Sequence, residues 1–501
     1  MSPPHSPEAL YHAIPQALAD EDHVIIPSDI ELEAEDAMTA AEAESGDLAL
    51  TTVDPPPVLV DSSVRWIHFV LGCSVLLPWN VIITATPFFL SRLGGSPLRQ
   101  TFSSYLSTSF TASNFLFLAH ATAVSKRTSP SRQTRITILS LSILTFLLTL
   151  STFFRIAPGL FFTFVLLNGI LQAAFGAYLQ TSVIAVASLF GPTAVQAMIT
   201  GQAAVAVAVS GVQVLSSAIF LWSASPEAIT ANAESGRAEE RSARAFFILS
   251  TLFLVMSAVA HGRLVRMPTY TTLVAPLEQG KHRLREVGSV EEHHGLTSTG
   301  RETYADEKRR ILRVAKANVT LEIAVAYVFV VTLAVYPPIT TSVQPTNPGT
   351  HPLLFSAVHF LVFNLGDFSG RYICSIPSLL IWSAKRLLTL SLARTLFVPI
   401  FLMCNVQRPI SDIPLTPPII SSDLLFMLIL FAFGLSNGYL SSLCMMSAGS
   451  LQHNPRLRGR KEDVDVAATV ASFFLVGGLA LGSVGSFAVR AAICGCNPFL
   501  E

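Results

Sequence analysis

"LLPWNVIITATPFF", residues 76–89, lies inside an apolar run that extends from about residue 66 to 90. The run has the length of a membrane-crossing helix, roughly 20 residues, yet Pro78, Trp79 and Asn80 stand side by side within it. Proline removes a backbone donor and bends or breaks a helix. Broken backbone at membrane depth is tolerated only where protein or a water-filled cavity receives it. An aromatic face and an amide beside such a break suit a flat heteroaromatic ligand with hydrogen-bonding groups. A simple kink, with Trp79 as packing bulk, accounts for the stretch equally well.

Working outward, ten further apolar windows follow, at 102–124, 136–154, 159–189, 193–222, 245–265, 317–339, 353–376, 387–405, 422–449 and 465–489. With 51% hydrophobic and only 13% charged residues, the chain departs from a soluble protein, in which about 25% are charged. The expectation is an all-α polytopic membrane protein with about eleven transmembrane helices. No Lys or Arg precedes Arg65, while Asp and Glu recur from Glu8 to Asp61. That acidic stretch has few aromatics and no sustained apolar period, so residues 1–63 read as a disordered tail. It lacks the basic start and apolar core of a signal peptide.

The loops set orientation. "KRTSPSRQTR" (126–135), the long segment 266–316 with Lys281, Arg283, Arg285 and Lys308 to Lys316, the pair Lys385–Arg386 and "RLRGRK" (456–461) fall on one side. On the other side, residues 337–351 contain no Lys or Arg. Positive-inside bias puts the N-terminus and the 266–316 segment in the cytosol. The sequon Asn318-Val319-Thr320 then falls at a cytosolic helix start, where it is expected to stay unmodified.

Polar residues within the spans are the candidate functional groups. Asp367 and Arg371 are four apart and share a helix face. Each charge alone would cost about 3 kcal/mol at the bilayer centre. They read either as a self-neutralising pair or as a polar site on a water-filled pathway, with Asn364 one turn away. Arg394 lies a few residues inside the ninth span and is expected to snorkel to the cytosolic side. Glu322 is expected at the membrane interface. His68, His120, His261 and His359 are scattered over four spans without metal-ligand spacing and read as satisfied packing or interfacial residues. Six scattered cysteines likewise show no metal or redox pattern and read as small packing residues. No metal or cofactor site is expected. Gln180, deep in the fourth window, reads first as an interhelical hydrogen-bonding residue and second as a substrate contact. "GQAAVAVAVSG" (201–211) and "GGLALGSVGSF" (477–487) suit close helix packing.

Several segments together resemble the equilibrative nucleoside transporter family. They are "LLPWNVIITATPFF", "GAYLQTS" (176–182), Gly201-Gln202, "FNLGDFSGR" (363–371), "ARTLFVPIFLMCN" (393–405), "SNGYLSSLCM" (436–445) and "FFLVGGLALGSVGSF" (473–487). The resemblance spans roughly residues 64–490. It implies a fold similar to the major facilitator superfamily, with a six-helix bundle (64–265) packed against a five-helix bundle (317–490), separated by the 266–316 loop. A short tail, 491–501, would lie on the non-cytosolic side. It further implies alternating access carrying nucleosides, and in some members nucleobases. Trp79 and Leu76 would line the nucleobase side and Gln180 would hydrogen-bond the base. Asp367 with Arg371 would handle the ribose hydroxyls, helped by Arg135, which is also explained as an inside-positive anchor. Ile83, Pro337, Phe360 and Asn364 match positions near the outer gate. The implied partners are a nucleoside and the lipid bilayer; protons stay open as a coupling ion, and no nucleic acid is expected. The membrane is the plasma membrane or a vacuolar or lysosomal type. The rivals are a polytopic membrane enzyme and a non-transporting receptor. The first would need a catalytic set; no HExxH pattern is present, and no second Asp is expected inside the membrane to partner Asp367.

Overall fold

A computed structural model describes residues 61–494, apart from 97, 126–127, 224–236, 277, 280–298, 337–338, 348 and 407–417. The expected tail up to residue 60, Pro337, and the end of the chain from 495 lie outside the described residues. The helices are α1 (Ser62–Thr84), α2 (Thr86–Arg92), α3 (Leu98–Ala123), α4 (Pro130–Ser151), α5 (Pro158–Phe190), α6 (Pro192–Ser223) and α7 (Arg237–Val265). After these come α8 (Pro268–Leu273), α9 (Thr299–Val335), α10 (Pro352–Ile373), α11 (Ala384–Ala393), α12 (Phe397–Leu402), α13 (Asp423–Ala448) and α14 (Val464–Cys494).

Local chemistry sets many of the ends. Pro130 and Pro158 occupy the first turns of α4 and α5, where the missing N–H costs nothing. Ser129 and Ser422 cap α4 and α13 with their hydroxyls. Between the long helices α5 and α6 the chain turns at Gly191, whose φ of 98° lies in the left-handed region that favours glycine.

Eight helices among the described residues are long and apolar enough to cross a membrane. The windows at 102–124, 353–376 and 387–405 are helical but fall outside that set. Helix α3 is loaded with hydroxyls from Ser107 to Ser113, α10 carries His359, Asn364, Asp367 and Arg371, and the ninth window is divided by a tight turn at Arg394–Leu396. Apolar side chains face outward where lipid would lie: Leu139, Ile143 and Phe146 on α4, and Leu249, Leu252 and Val259 on α7 are exposed. The chain is thus an integral multi-pass protein with apolar outer faces and polar groups turned inward.

Two expectations are corrected here. Helix α1 is not broken at Pro78; it runs unbroken to Thr84, and the interruption comes at Ala85, two residues before Pro87. The single ladder bond that Pro78 removes is not enough to end a helix packed against α5, α6 and α7. The segment 266–316 is not all loop either. Helix α9 begins at Thr299, well before the apolar window at 317, because the helix continues through the polar run ahead of the membrane.

The helices pack as two groups. Helix α1 sits against α6, α7 and α5, with α3 on α5 and α4 on α7 and α5. In the second group α9 packs on α14, α11 and α13, and α10 packs on α13. The groups meet along α6 against α10, and along α5 and α3 against α14. Small residues make the tightest contacts inside each group. A Cβ added at Gly72 or Gly201 would collide with the Met198 or Phe69 carbonyl oxygen across the α1–α6 contact. On α10 and α13, Gly366, Gly370, Gly434 and Gly438 each face the other helix's backbone in the same way. Without a hydrophobic force between helices in lipid, such close packing supplies much of the association.

Gly438→Val is therefore expected to push α10 and α13 apart and cost about 1–3 kcal/mol by overpacking. Gly211→Ala, where a Cβ meets open space, is the control expected to leave stability unchanged. Thermal unfolding of the purified proteins in detergent separates the two.

Candidate functional site

Helix α10 places Asn364, Asp367 and Arg371 on one flank, three and four residues apart. Asp367 is buried, and Arg371 Nε donates to its Oδ2 at 2.8 Å. Its second oxygen, Oδ1, accepts from Asn437 Nδ2 of α13 at 2.6 Å. Both bonds are charge-assisted, the kind that best offsets taking a carboxylate out of water. The Asn437 side-chain oxygen in turn accepts from Thr332 Oγ1 of α9 at 2.7 Å and from Arg394 Nη1 at 3.3 Å.

Arg394 does not snorkel. It is 2% exposed. The turn at Arg394–Leu396 delivers its guanidinium between α9 and α13, where it donates to the Val328 carbonyl (2.7 Å), Thr332 Oγ1 (3.0 Å), the Phe433 carbonyl (3.3 Å) and Ser436 Oγ (3.1 Å). It also lies over the Phe433 ring at 4.7 Å from the centroid. A planar group with five donors can satisfy that many inward-facing acceptors at once, which outweighs reaching for water.

The same flank of α10 grips the first helix group. Arg371 Nη1 donates to the Ile199 carbonyl at 3.2 Å, and Gln196 Nε2 returns a bond to the Arg371 carbonyl at 3.1 Å. Further along, Asn364 Nδ2 donates to the Ala206 carbonyl (3.3 Å) and Ser210 Oγ (3.2 Å) of α6. On the opposite seam Gln180 Nε2 donates to Ser472 Oγ of α14 at 2.8 Å.

The remaining expected residues are placed as follows. Leu76 and Trp79 are half-buried on α1, with the Trp79 ring against Phe110 of α3 at 4.4 Å. Asn80 spends its amide on the Leu76 carbonyl, at 2.9 Å. Phe360 lies edge-on to Tyr336, 5.6 Å between centroids, and Tyr336 stacks on Phe363 at 4.0 Å. Ile83 is exposed at the far end of α1, Arg135 is exposed on α4, and Pro337 is outside the described residues. Asp367 and Arg371 are thus directly bonded, and Asn364 joins them along one seam. Among the described residues no hydrogen bond links Trp79, Gln180 or Arg135 to that cluster.

Sequence reading missed Asn437, Thr332 and the inward role of Arg394. Asn437 had a usable signal, an amide in an apolar run flanked by Gly434 and Gly438 at close-packing spacing. One further expectation fails: His359 is not satisfied but buried with neither ring nitrogen partnered. Glu322 is 1% exposed, with both carboxylate oxygens unpartnered. His68, His120 and His261 each have one ring nitrogen engaged, by the Val64 carbonyl, the Tyr178 hydroxyl and the Ser131 carbonyl respectively. Cys73, Cys374, Cys404 and Cys444 are buried free thiols, as packing residues would be.

A protein-family profile described as nucleoside transporter matches residues 166–491. The chain is 28% identical over 480 residues to equilibrative nucleoside transporter 1 of Rattus norvegicus, covering 86% of this chain and 97% of that protein. It is 27% identical over 475 residues to equilibrative nucleoside transporter 1 of Homo sapiens, with coverage of 86% and 97%. Against equilibrative nucleoside transporter 2 of Homo sapiens it is 27% identical over 471 residues, covering 85% and 96%. Among solved structures, FucP, a major facilitator superfamily transporter in the outward conformation, matches at a TM-score of 0.48 with 16% identity, covering 86% of this chain and 91% of that one.

Arg394→Met is expected to remove the guanidinium's bonds to Val328, Phe433 and Ser436, at about 1.5–3 kcal/mol for each hydrogen bond to a charged group, although the two carbonyls keep the Thr332 and Ser436 hydroxyls as donors. A clear drop in melting temperature in detergent is the expected outcome. An unchanged melting point would show that the guanidinium contributes little to holding α9, α11 and α13 together.

Proposed function

The chain belongs to the equilibrative nucleoside transporter family, and from that premise we propose that it carries nucleosides across its membrane by alternating access of its two helix groups. It is a transporter and not an enzyme. In this reading the groups are 64–265 and 317–490, joined by the cytosolic segment 266–316, with the N-terminal side in the cytosol and residues 491–501 on the far side. The membrane is the plasma membrane or one of vacuolar or lysosomal type.

One observation carries the site. Each oxygen of Asp367 accepts a single bond from the protein, while a carboxylate offers about four lone-pair sites. A buried, fixed negative charge with spare acceptor capacity is suited to ribose hydroxyls, which are donors in need of strong acceptors when they leave water. Arg371 keeps that charge in place and, through Ile199, ties it to the other helix group. Trp79 and Leu76 supply a flat apolar surface for the base, and Gln180 offers an amide that reads its polar edge once released from Ser472. Asn364 and Phe360, with Ile83 and Pro337, form the outer gate. Arg135 joins this set only through movement of α4, since it is exposed here.

The seam chemistry supports motion. Neutral bonds such as Gln180–Ser472 and Asn364–Ser210 are worth about 0.6 kcal/mol each in a membrane setting. They can be exchanged for substrate or water without a large barrier.

Uptake of radiolabelled adenosine and uridine into proteoliposomes at equal pH tests the reading. Saturable uptake competed by unlabelled nucleoside is expected. Asp367→Asn replaces a charged acceptor, whose hydrogen bonds are worth about 1.5–3 kcal/mol, and should weaken apparent affinity roughly ten- to hundredfold. Trp79→Ala is expected to lower uptake as well. Normal uptake by either folded variant would remove that residue from the site.

A further inference from the structure

The polar run that opens α9 ends in a row of cations that the transport site does not use. Arg309, Arg313, Lys316 and Thr320 follow at spacings of four, three and four, so they stand along one edge of the helix. The three cations are exposed. Val319 and Ile323, three and seven residues beyond Lys316, are exposed apolar side chains on nearly the same face. They belong to the outer surface that meets acyl chains. Lys316 therefore stands one or two turns from that surface, at the depth where acyl chains give way to headgroups.

The loop after α13 is fixed against the same edge. Its Leu457 is buried in one cluster with Val314 of α9. Asp463 accepts from Arg310 Nε at 2.7 Å and from Arg313 Nη2 at 3.2 Å. Between these anchors, Arg456 Nη1 donates to the Ala317 carbonyl at 3.3 Å and to Thr320 Oγ1 at 3.0 Å. Ala317 is the next residue after Lys316, and Thr320 lies one turn further along its edge. The guanidinium is thus held beside the lysine, with Nε and Nη2 making no bond to the protein. Two residues on, Arg458 is exposed and has a φ of 50°, the left-handed region that an arginine enters only at a cost.

The nearby acids are already matched. Asp463 is buried under Arg310 and Arg313, and Glu462 pairs with Arg310 at 3.4 Å. Lys316, Arg456 and Arg458 have no carboxylate partner among the described residues. Solvated cations that merely orient a membrane protein need no fixed geometry. Here one guanidinium is pinned by two bonds beside a lysine, next to an apolar face.

We propose that Lys316 and Arg456, with Arg458 beside them, bind the headgroup of an anionic phospholipid in the adjoining leaflet, the cytosolic one in the orientation above. The two unused nitrogens of Arg456 suit two oxygens of the lipid phosphate, and Lys316 supplies a point charge. The acyl chains then run along Val319 and Ile323. A zwitterionic lipid carries its own ammonium and gains less from the cations, so the site selects for net negative charge. This goes beyond nucleoside carriage and does not depend on which solute the chain moves.

Native mass spectra of the purified full chain in a neutral detergent, titrated with phosphatidylserine or phosphatidylcholine, give the affinity for the first lipid bound. Each cation near a headgroup is worth about fivefold. Wild type is expected to prefer phosphatidylserine by roughly twenty-five-fold for the two cations together. Lys316→Gln should lower that preference about fivefold, Arg456→Gln at least as much, and Lys316→Arg should retain it. Lys316 is exposed and unpaired, so its variants test the site even if Arg456→Gln fails to fold. Arg132→Gln, which removes an exposed cation at the start of α4, is expected to leave the preference unchanged. No preference in wild type, or none lost in Lys316→Gln, overturns the proposal. An equal loss in Arg132→Gln would mean diffuse surface charge and overturns it as well. Sodium phosphate is expected to compete no better than sodium chloride of equal ionic strength; stronger competition would mark a site for soluble anions and overturn the lipid assignment.

Discussion

The close approach of α10 and α13 is the constraint on which the rest of the site depends. Asp367 and Asn437 have short side chains, and they meet at 2.6 Å because the glycines on both helices bring the backbones together. Larger residues at Gly370 or Gly438 would separate the helices, and Asp367 would lose its second donor. Asn437 is also the junction to Thr332 and Arg394, so α9 and the ninth helical segment are organised through the same contact. A packing detail in two helices thus fixes an electrostatic arrangement spanning four.

Inside the second helix group the polar bonds are dense and partly charged. Between the groups they are sparser: a guanidinium to a carbonyl, and amides to carbonyls or hydroxyls. Buried charged networks are costly to break, because the remaining partner is left unpaired in low dielectric. Neutral seam bonds exchange at small cost. The proposed alternating access asks for such a difference: helix sets held internally by bonds that are costly to break, meeting along a surface whose bonds are mostly cheap to exchange.

Much of this was legible in the sequence. The windows 159–189 and 193–222 match α5 and α6 almost to the residue, since apolar length and the Gly191-Pro192 turn are both local signals. The Asp367–Arg371 pair followed from helical spacing alone. What was not legible depends on which way a side chain faces in three dimensions. Arg394 stands only a few residues inside its span, and nothing in the sequence shows that a turn aims it at Asn437 rather than at water. Glu322 has the same difficulty, for nothing in the sequence shows that it faces neighbouring helices rather than the surface. Pro78 failed in the opposite sense: a strong local helix breaker was overruled by packing against three neighbouring helices.

The charges of the cluster around Asn437 are unbalanced in a way that ties these corrections together. Within it Asp367, Arg371 and Arg394 leave one positive charge in excess if all three are ionised. Arg371 and Asp367 neutralise each other at contact, so the excess belongs to Arg394, spread over carbonyl and hydroxyl dipoles and the Phe433 ring. Such dipoles stabilise a cation only while the helices that hold them stay in register. Glu322 lies on the same helix that supplies the Val328 carbonyl and Thr332 to Arg394. Two groups that no bond connects are mechanically linked because one rigid helix carries them both.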